Sequence, residues 1–282
     1  MSSEARQVEP VAAMSAPAEV SSLRYELATI GVLWSRDLRR FFRQRSRIAG
    51  ALIQPLIFWF VIGSGLSGTF RLQGAEGLGY MEYFFPGIVV MVVLFSSIFT
   101  TMSVIEDRAE GFLQAVLAAP ASRGALVLGK ALGGTSISMV QVVLFLALCP
   151  LAGFKLGVVA WPYLIWMLFV TSMGLTGVGF FIAWWLKTTQ GYHAVMSVLL
   201  LPAWIVSGAM FPLPENTGWL GLLMRFNPMS YSVDGLRHGL YGLDAAIPGA
   251  TLGLSPMMEL GLATLFAALA LVASIWICNR SE

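Results

Sequence analysis

Charge is scarce in this chain. Only 11% of its 282 residues are Asp, Glu, Lys or Arg, against about 25% in an ordinary soluble domain, and the shortfall excludes a soluble core wrapped in a hydrated surface. Cysteine is nearly missing too. Cys149 and Cys278 lie far apart in apolar runs, with no partner at metal-ligand spacing, and read as small buried hydrophobes. No His-Glu-x-x-His pair and no Gly-x-Ser-x-Gly elbow occurs, so the sequence offers no hydrolytic centre of those kinds. The centres of the long apolar runs hold no Asp, Glu, Lys or Arg. A secondary transporter needs such a group to bind or relay its coupling ion, so that class is disfavoured. The arginine-rich run at 36–47 has no nucleic-acid-binding fold signature beside it, and nucleic acid is not an expected partner.

What is present is apolar sequence, 57% of the chain, in runs too long for a globular core. A bilayer core about 30 Å thick takes about 20 helical residues at a rise of about 1.5 Å each. Six segments qualify: 48–68 (with Pro55 as a kink), 83–105, 131–154, one within 156–186, 191–212 and 257–278. Backbone polar groups cannot stay unpaired in hydrocarbon, and the alternating pattern of a barrel is absent. The expected fold is therefore all-α and integral to the membrane, with six transmembrane helices.

Basic residues set the expected orientation. With six spans both termini share a side, and that side collects Arg36, Arg39, Arg40, Arg43, Arg45, Arg47, Arg108, Arg123, Lys130, Lys187 and Arg280; the other holds Arg71, Lys155, Arg225 and Arg237. By the positive-inside rule both termini are cytoplasmic in a multi-pass cell-membrane protein. Residues 1–22, rich in Ala, Ser, Pro and Glu, lack the apolar core of a signal peptide and are expected to be a disordered cytoplasmic tail. Over 23–47, Leu23, Leu27, Ile30, Trp34, Leu38 and Phe41 recur at steps of three or four, with Arg36, Arg39, Arg40, Arg43 and Arg47 opposite. That pattern predicts an amphipathic interfacial helix, its apolar stripe in membrane lipid and its arginines toward phosphate head groups.

Two motif matches dissolve on inspection. GALVLGK (124–130) approximates a phosphate-binding loop, but Ala131 stands where Mg²⁺ coordination needs a hydroxyl, and the segment runs into an apolar helix. Lys130 is read instead as a cytoplasmic anchor. GLSG (65–68) matches the serine motif of rhomboid-type intramembrane proteases, yet Ser67 and His193 fall at opposite ends of their spans, out of hydrogen-bond reach. Gln141 and Ser138, with Thr135 and Ser136, make the third span the polar one, suited to helix packing or to lining a substrate path.

Three local patterns, in order along the spans, carry a family likeness: MEYFFPGIVVM (81–91), EDRAEGFLQAVLAAPASRGALVLGK (106–130) and NPMSYSVDGLR (227–237). In these the chain resembles the membrane-spanning subunits of ABC-2 type exporters, which include drug-resistance permeases and polysaccharide or lipo-oligosaccharide exporters. The resemblance implies a 48–282 transmembrane domain that does no covalent chemistry and binds no cofactor, ATP and Mg²⁺ being held by a separate soluble ATPase subunit. It implies a homodimer in the membrane that exports an amphipathic or lipid-linked solute. It also implies that the loop after the second span presents a coupling helix to the ATPase, that 23–47 is the family's connecting helix, and that 211–242 is an outer re-entrant segment containing Asn227, Pro228, Tyr231 and Arg237. The residues of the loop suit that work. Glu106, Asp107 and Glu110 are placed at the start of the coupling helix, where carboxylates complement the macrodipole, and Arg108 adds a docking charge. Gly111 permits a change of direction, Phe112, Leu113, Val116 and Leu117 form an apolar face, and Pro120 stops the helix. A membrane assembly or scaffold protein without transport activity is the alternative from another class.

Overall fold

A computed structural model describes residues 22–68, 77–118, 121–186, 188–212, 218–245 and 252–280. The tail before residue 22, Arg71, Pro120 and Lys187 lie outside the described residues, as do residues 213–217 of the expected re-entrant segment. Among the described residues there are helices and no strands. In order they are α1 (Ser22–Arg43), α2 (Arg45–Leu66), α3 (Tyr80–Ala109), α4 (Phe112–Ala118), α5 (Arg123–Leu146), a 3₁₀ turn at Cys149–Ala152, α6 (Trp161–Trp185), α7 (Thr189–Trp204) with a π turn at Ile205–Ala209, α8 (Trp219–Phe226), α9 (Pro228–Tyr241) and α10 (Pro256–Arg280).

Helix α3 is the axis of the molecule. Every residue from Tyr83 to Leu94 is buried, and α2, α5, α6, α7 and α9 all pack on it. A helix apolar on every side is stable only where every side is covered. α10 closes the bundle against α6 and α9, and α1 lies along α5.

Among the described residues, five helices are long and apolar enough to cross a membrane: α3, α5, α6, α7 with its π turn, and α10. The apolar part of α2, Leu52–Leu66, is shorter, so the expected count of six is not met by length alone. The third segment is also displaced. Its helix begins at Arg123 rather than 131 and ends at Leu146, because Ser122 caps it by accepting the Ala125 N–H at 3.1 Å. The chain then turns at Cys149–Ala152. Gly129, which belonged to the apparent phosphate loop, and Gly133 face α1: a Cβ on Gly129 would meet the Leu33 Cβ at 3.0 Å, and one on Gly133 would meet that of Asp37 at 3.2 Å. Their role is close helix approach. In the fourth segment the helix starts at Trp161, with Pro162 in its first turn, where a missing N–H costs nothing.

The stretch expected to be re-entrant forms two short helices. α9 is buried from Met229 to Leu240, apart from the half-buried Tyr231, against α3, α6 and α10, whereas α8 exposes Trp219, Leu222 and Phe226.

Candidate coupling site

The site lies where α1, the end of α3, α4 and the start of α5 converge. α3 runs on through Glu106, Asp107 and Arg108 to Ala109, so these residues close α3 instead of opening the next helix. Carboxylates at a helix C-terminus oppose the macrodipole, which corrects the expectation that they complement it. Cations from two other helices compensate. Arg36 clasps Asp107 with both terminal nitrogens, at 2.6 and 2.9 Å. Arg40 donates to Asp107 at 3.0 Å and to Glu106 at 2.8 Å. From α5, Lys130 reaches Asp107 at 2.6 Å and Asp37 at 2.9 Å, with Ser103 Oγ at 3.4 Å.

Three bases thus meet three acids around one carboxylate that is fully buried, Asp107 at 0% exposure. Burial on that scale is tolerated only with paired and hydrogen-bonded charge, and a planar guanidinium meets a carboxylate edge-on with two bonds. The Asp107 bonds hold Arg36 protonated and raise it above the ordinary arginine value. Burial pushes the Asp37 carboxyl up, opposed by the Lys130 ammonium.

Several expectations change here. Arg36 and Arg40 turn to carboxylates and not to head groups, because Leu33, Asp37 and Phe41, four apart, are the stripe that α1 buries. Arg39 and Arg43 are exposed; the side chains of Arg45 and Arg47 lie outside the described residues. Leu23, Leu27 and Trp34, of the predicted apolar stripe, are 67%, 59% and 41% exposed, and the Trp34 indole donates to Ser136 Oγ at 3.0 Å. Lys130 is a buried ion-pair partner, not a surface anchor.

Gly111 breaks the chain between α3 and α4 with φ +76°, a region that only glycine enters freely. The inward face of α4 is Phe112 and Leu113. Leu113 is buried, and the Arg36 guanidinium lies 3.7 Å from the Phe112 ring centroid. Neither offers a free docking face. Arg108 is not a free docking charge either: it donates to the Trp184 carbonyl at 3.0 Å and stacks on that ring. Facing outward are Gln114 and Leu117, with the Glu110 side chain 60% exposed and 3.7 Å from Arg40. At the far end of the loop, Glu26 of α1 accepts from the Ser122 N–H and hydroxyl at 3.0 and 2.6 Å. α1 thus contacts the start of α4 through Arg36 and the cap of α5 through Glu26.

Sequence reasoning missed Asp37, Ser103 and Glu26, and misassigned Lys130. A signal for Asp37 existed: a lone acid inside an arginine run, in register with Leu33 and Phe41.

The other candidate residues lie apart from this site. Ser138 and Gln141 are buried in α5, and among the described residues Ser138 Oγ and both Gln141 amide atoms have no hydrogen-bond partner. Asn227 caps α9, accepting the Met229 N–H at 3.0 Å, and Pro228 occupies the first turn. The Tyr231 hydroxyl donates to the Arg225 carbonyl. Arg237 donates to the Gly208 carbonyl at 2.6 Å and lies 4.5 Å from the Tyr83 ring centroid, tying α9 to the π turn of α7 and to α3.

The sequence profile of the family described as ABC-2 type transporter matches residues 28–241, from α1 through α9. This chain belongs to that family. Among the relatives of this ABC-2 chain, a protein described as putative transport permease ycf38 from Cyanophora paradoxa is 29% identical over 212 residues, covering 71% of each chain. The inner membrane transport permease YadH of Escherichia coli K12 is 22% identical over 213 residues, 75% of this chain and 82% of its own. Nodulation protein J of Rhizobium meliloti is 26% identical over 230 residues, 76% and 77% of the two chains. The charge cluster and α4 both fall within the family match. The chain is thus a membrane protein of a transport-permease family.

Proposed function

We propose that this chain is the permease subunit of an ATP-driven exporter, working with a separate soluble ABC-type ATPase to move an amphipathic or lipid-linked solute out of the cytoplasm. The observation that carries the reading is the suspension of α4. It hangs from α3 through Gly111, is gripped on its inner face through Phe112 and Leu113, and leaves Gln114 and Leu117 exposed, with the Glu110 side chain largely exposed beside Arg40. Such an element can receive a push from a partner and pass it, through Asp107, to the axial helix and to α1 and α5 together. In this reading α1 is the connecting helix at the membrane surface, α2 is a sixth, short span, and α8 and α9 form the outer re-entrant segment. Both termini are cytoplasmic in an inner or plasma membrane, two copies form the pathway, and ATP and Mg²⁺ stay on the partner. The descriptions of the relatives as transport permeases, one of them of the inner membrane, support it.

The test is co-expression with a candidate ABC-type ATPase, purification as a complex, and a screen for solutes that change ATP hydrolysis. Co-purification with solute-responsive hydrolysis is expected. A chain that purifies without the ATPase, and whose presence leaves hydrolysis unchanged, would overturn the proposal.

A further inference from the structure

A second buried cluster sits near the opposite end of α3, by Tyr83, which is 24 residues or roughly 36 Å of helix from Asp107. Here two acids meet, and the Arg237 guanidinium of α9 is near enough to act on Glu259 electrostatically. Glu259, in the first turn of α10, is 0% exposed and Asp234 of α9 is 1% exposed. α9 packs on α10, and this brings the two carboxyl groups close enough to interact. Asp234 Oδ2 accepts the Leu252 N–H. Among the described residues, Asp234 Oδ1 and both Glu259 oxygens have no donor.

The other titratable groups around the pair can be named element by element. From α9, His238 places Nε2 at 3.7 Å from Glu259 Oε1, and neither of its ring nitrogens is hydrogen-bonded among the described residues. Also from α9, Arg237 has its guanidinium on the Tyr83 ring of α3 and the Gly208 carbonyl. From α6, the Tyr163 hydroxyl donates to the Pro256 carbonyl at 2.8 Å. Of the two titratable groups on α5, Lys130 belongs to the other cluster and Arg123 donates to the Cys278 carbonyl at the far end of α10, at 2.6 Å.

Two carboxylates facing each other in an apolar seam repel, and neither can be solvated. One hydrogen between them converts that contact into a hydrogen bond, as in carboxyl pairs that cannot both ionise. We propose that Asp234 and Glu259 bind a single proton between them, forming a protonation site that fastens α9 to α10. Loss of the proton would put two like charges in the seam and loosen the first turn of α10. The site is separate from the coupling site and does not depend on the transport reading.

The full chain in lipid nanodiscs tests this without any partner. Infrared spectra at neutral pH should show the carbonyl band of a protonated carboxylic acid, and Glu259→Gln should remove one such band while Asp234→Asn shifts it. Thermal melting supplies the second readout. A fold that binds more protons than the unfolded chain loses stability as pH rises. The alkaline fall in melting temperature should therefore be shallower in Glu259→Gln, whose amide stays neutral. An acid band unchanged in Glu259→Gln, or an equally steep alkaline fall, overturns the proposal. If that variant fails to accumulate, Asp234→Asn is read the same way. A wild-type spectrum with no protonated-acid band overturns it with no variant at all. None of these outcomes bears on ATPase binding, so the site can fail while the proposed function stands.

Discussion

At the residue scale the arginines of α1 divide into two sets. Arg36 and Arg40 are spent on Asp107 and Glu106, while Arg39 and Arg43, a turn away, face solvent. Composition treats all four alike; only the position of Asp107 separates them. Removing one member of a buried, paired cluster leaves the others uncompensated and costs about 3–5 kcal/mol. Lys130→Met, which leaves Asp37 and Asp107 facing each other, is therefore expected to lower the melting temperature of the purified chain sharply, whereas Arg39→Gln should leave it unchanged. Equal shifts in the two variants would show that the cluster does not hold α1 to the bundle. Gln141 is the converse case. Its amide is buried without a partner, and exchanging an unsatisfied polar group for an apolar one of similar size is close to neutral or stabilising. Gln141→Leu should leave the melting temperature level or raise it. If Gln141 serves a solute path, the same variant should also lose the solute response of ATP hydrolysis.

At the element scale the hinge before α4 is the sensitive joint. A Cβ on Gly111 would meet nothing within 4 Å, so any penalty for a larger residue there comes from φ +76° and not from crowding. Gly111→Ala should cost about 1–2 kcal/mol of stability, and Gly111→Asn less, since Asn enters the left-handed region more readily. Melting curves of the two variants would distinguish backbone strain from sterics. On the outer face of α4 the expectation runs the other way. Glu110→Arg with Leu117→Ala touches exposed groups and should leave melting unchanged while weakening co-purification of the ATPase. Retained co-purification would move the docking surface elsewhere. The sequence pattern located this element, and the glycine that starts it, from the charged stretch between two apolar runs. It mistook which residues face out, because the helix boundary falls after Arg108 and rotates the whole set.

At the scale of the molecule, two clusters at opposite ends of α3 have different electrostatic characters. One joins α1, α3 and α5 by balanced charge, and the other joins α9 to α10 by two acids. A push delivered at α4 has a continuous packed route along the axial helix. The predicted orientation can be checked by cysteine labelling, since Cys149 and Cys278 are both buried. Gln114→Cys is expected to react with an impermeant reagent only after the cells are opened, and Trp219→Cys, at a position 76% exposed, in intact cells. The reverse pattern would place α4 outside and remove the ATPase from contact with it.

Hydropathy and spacing determined by themselves that the chain is helical and membrane-embedded, where most apolar runs lie, and that a charged, helix-forming link joins the second run to the third. These are local properties: about 20 apolar residues in a row have no soluble alternative. Which charges meet, that Lys130 is buried, and that Asp234 lies against Glu259 were decided only by the tertiary structure. Partners 93 residues apart, such as Lys130 and Asp37, leave no periodic trace along the chain. Their pairing depends on how closely two helices approach, and Gly129 and Gly133 set that approach at the seam between α1 and α5.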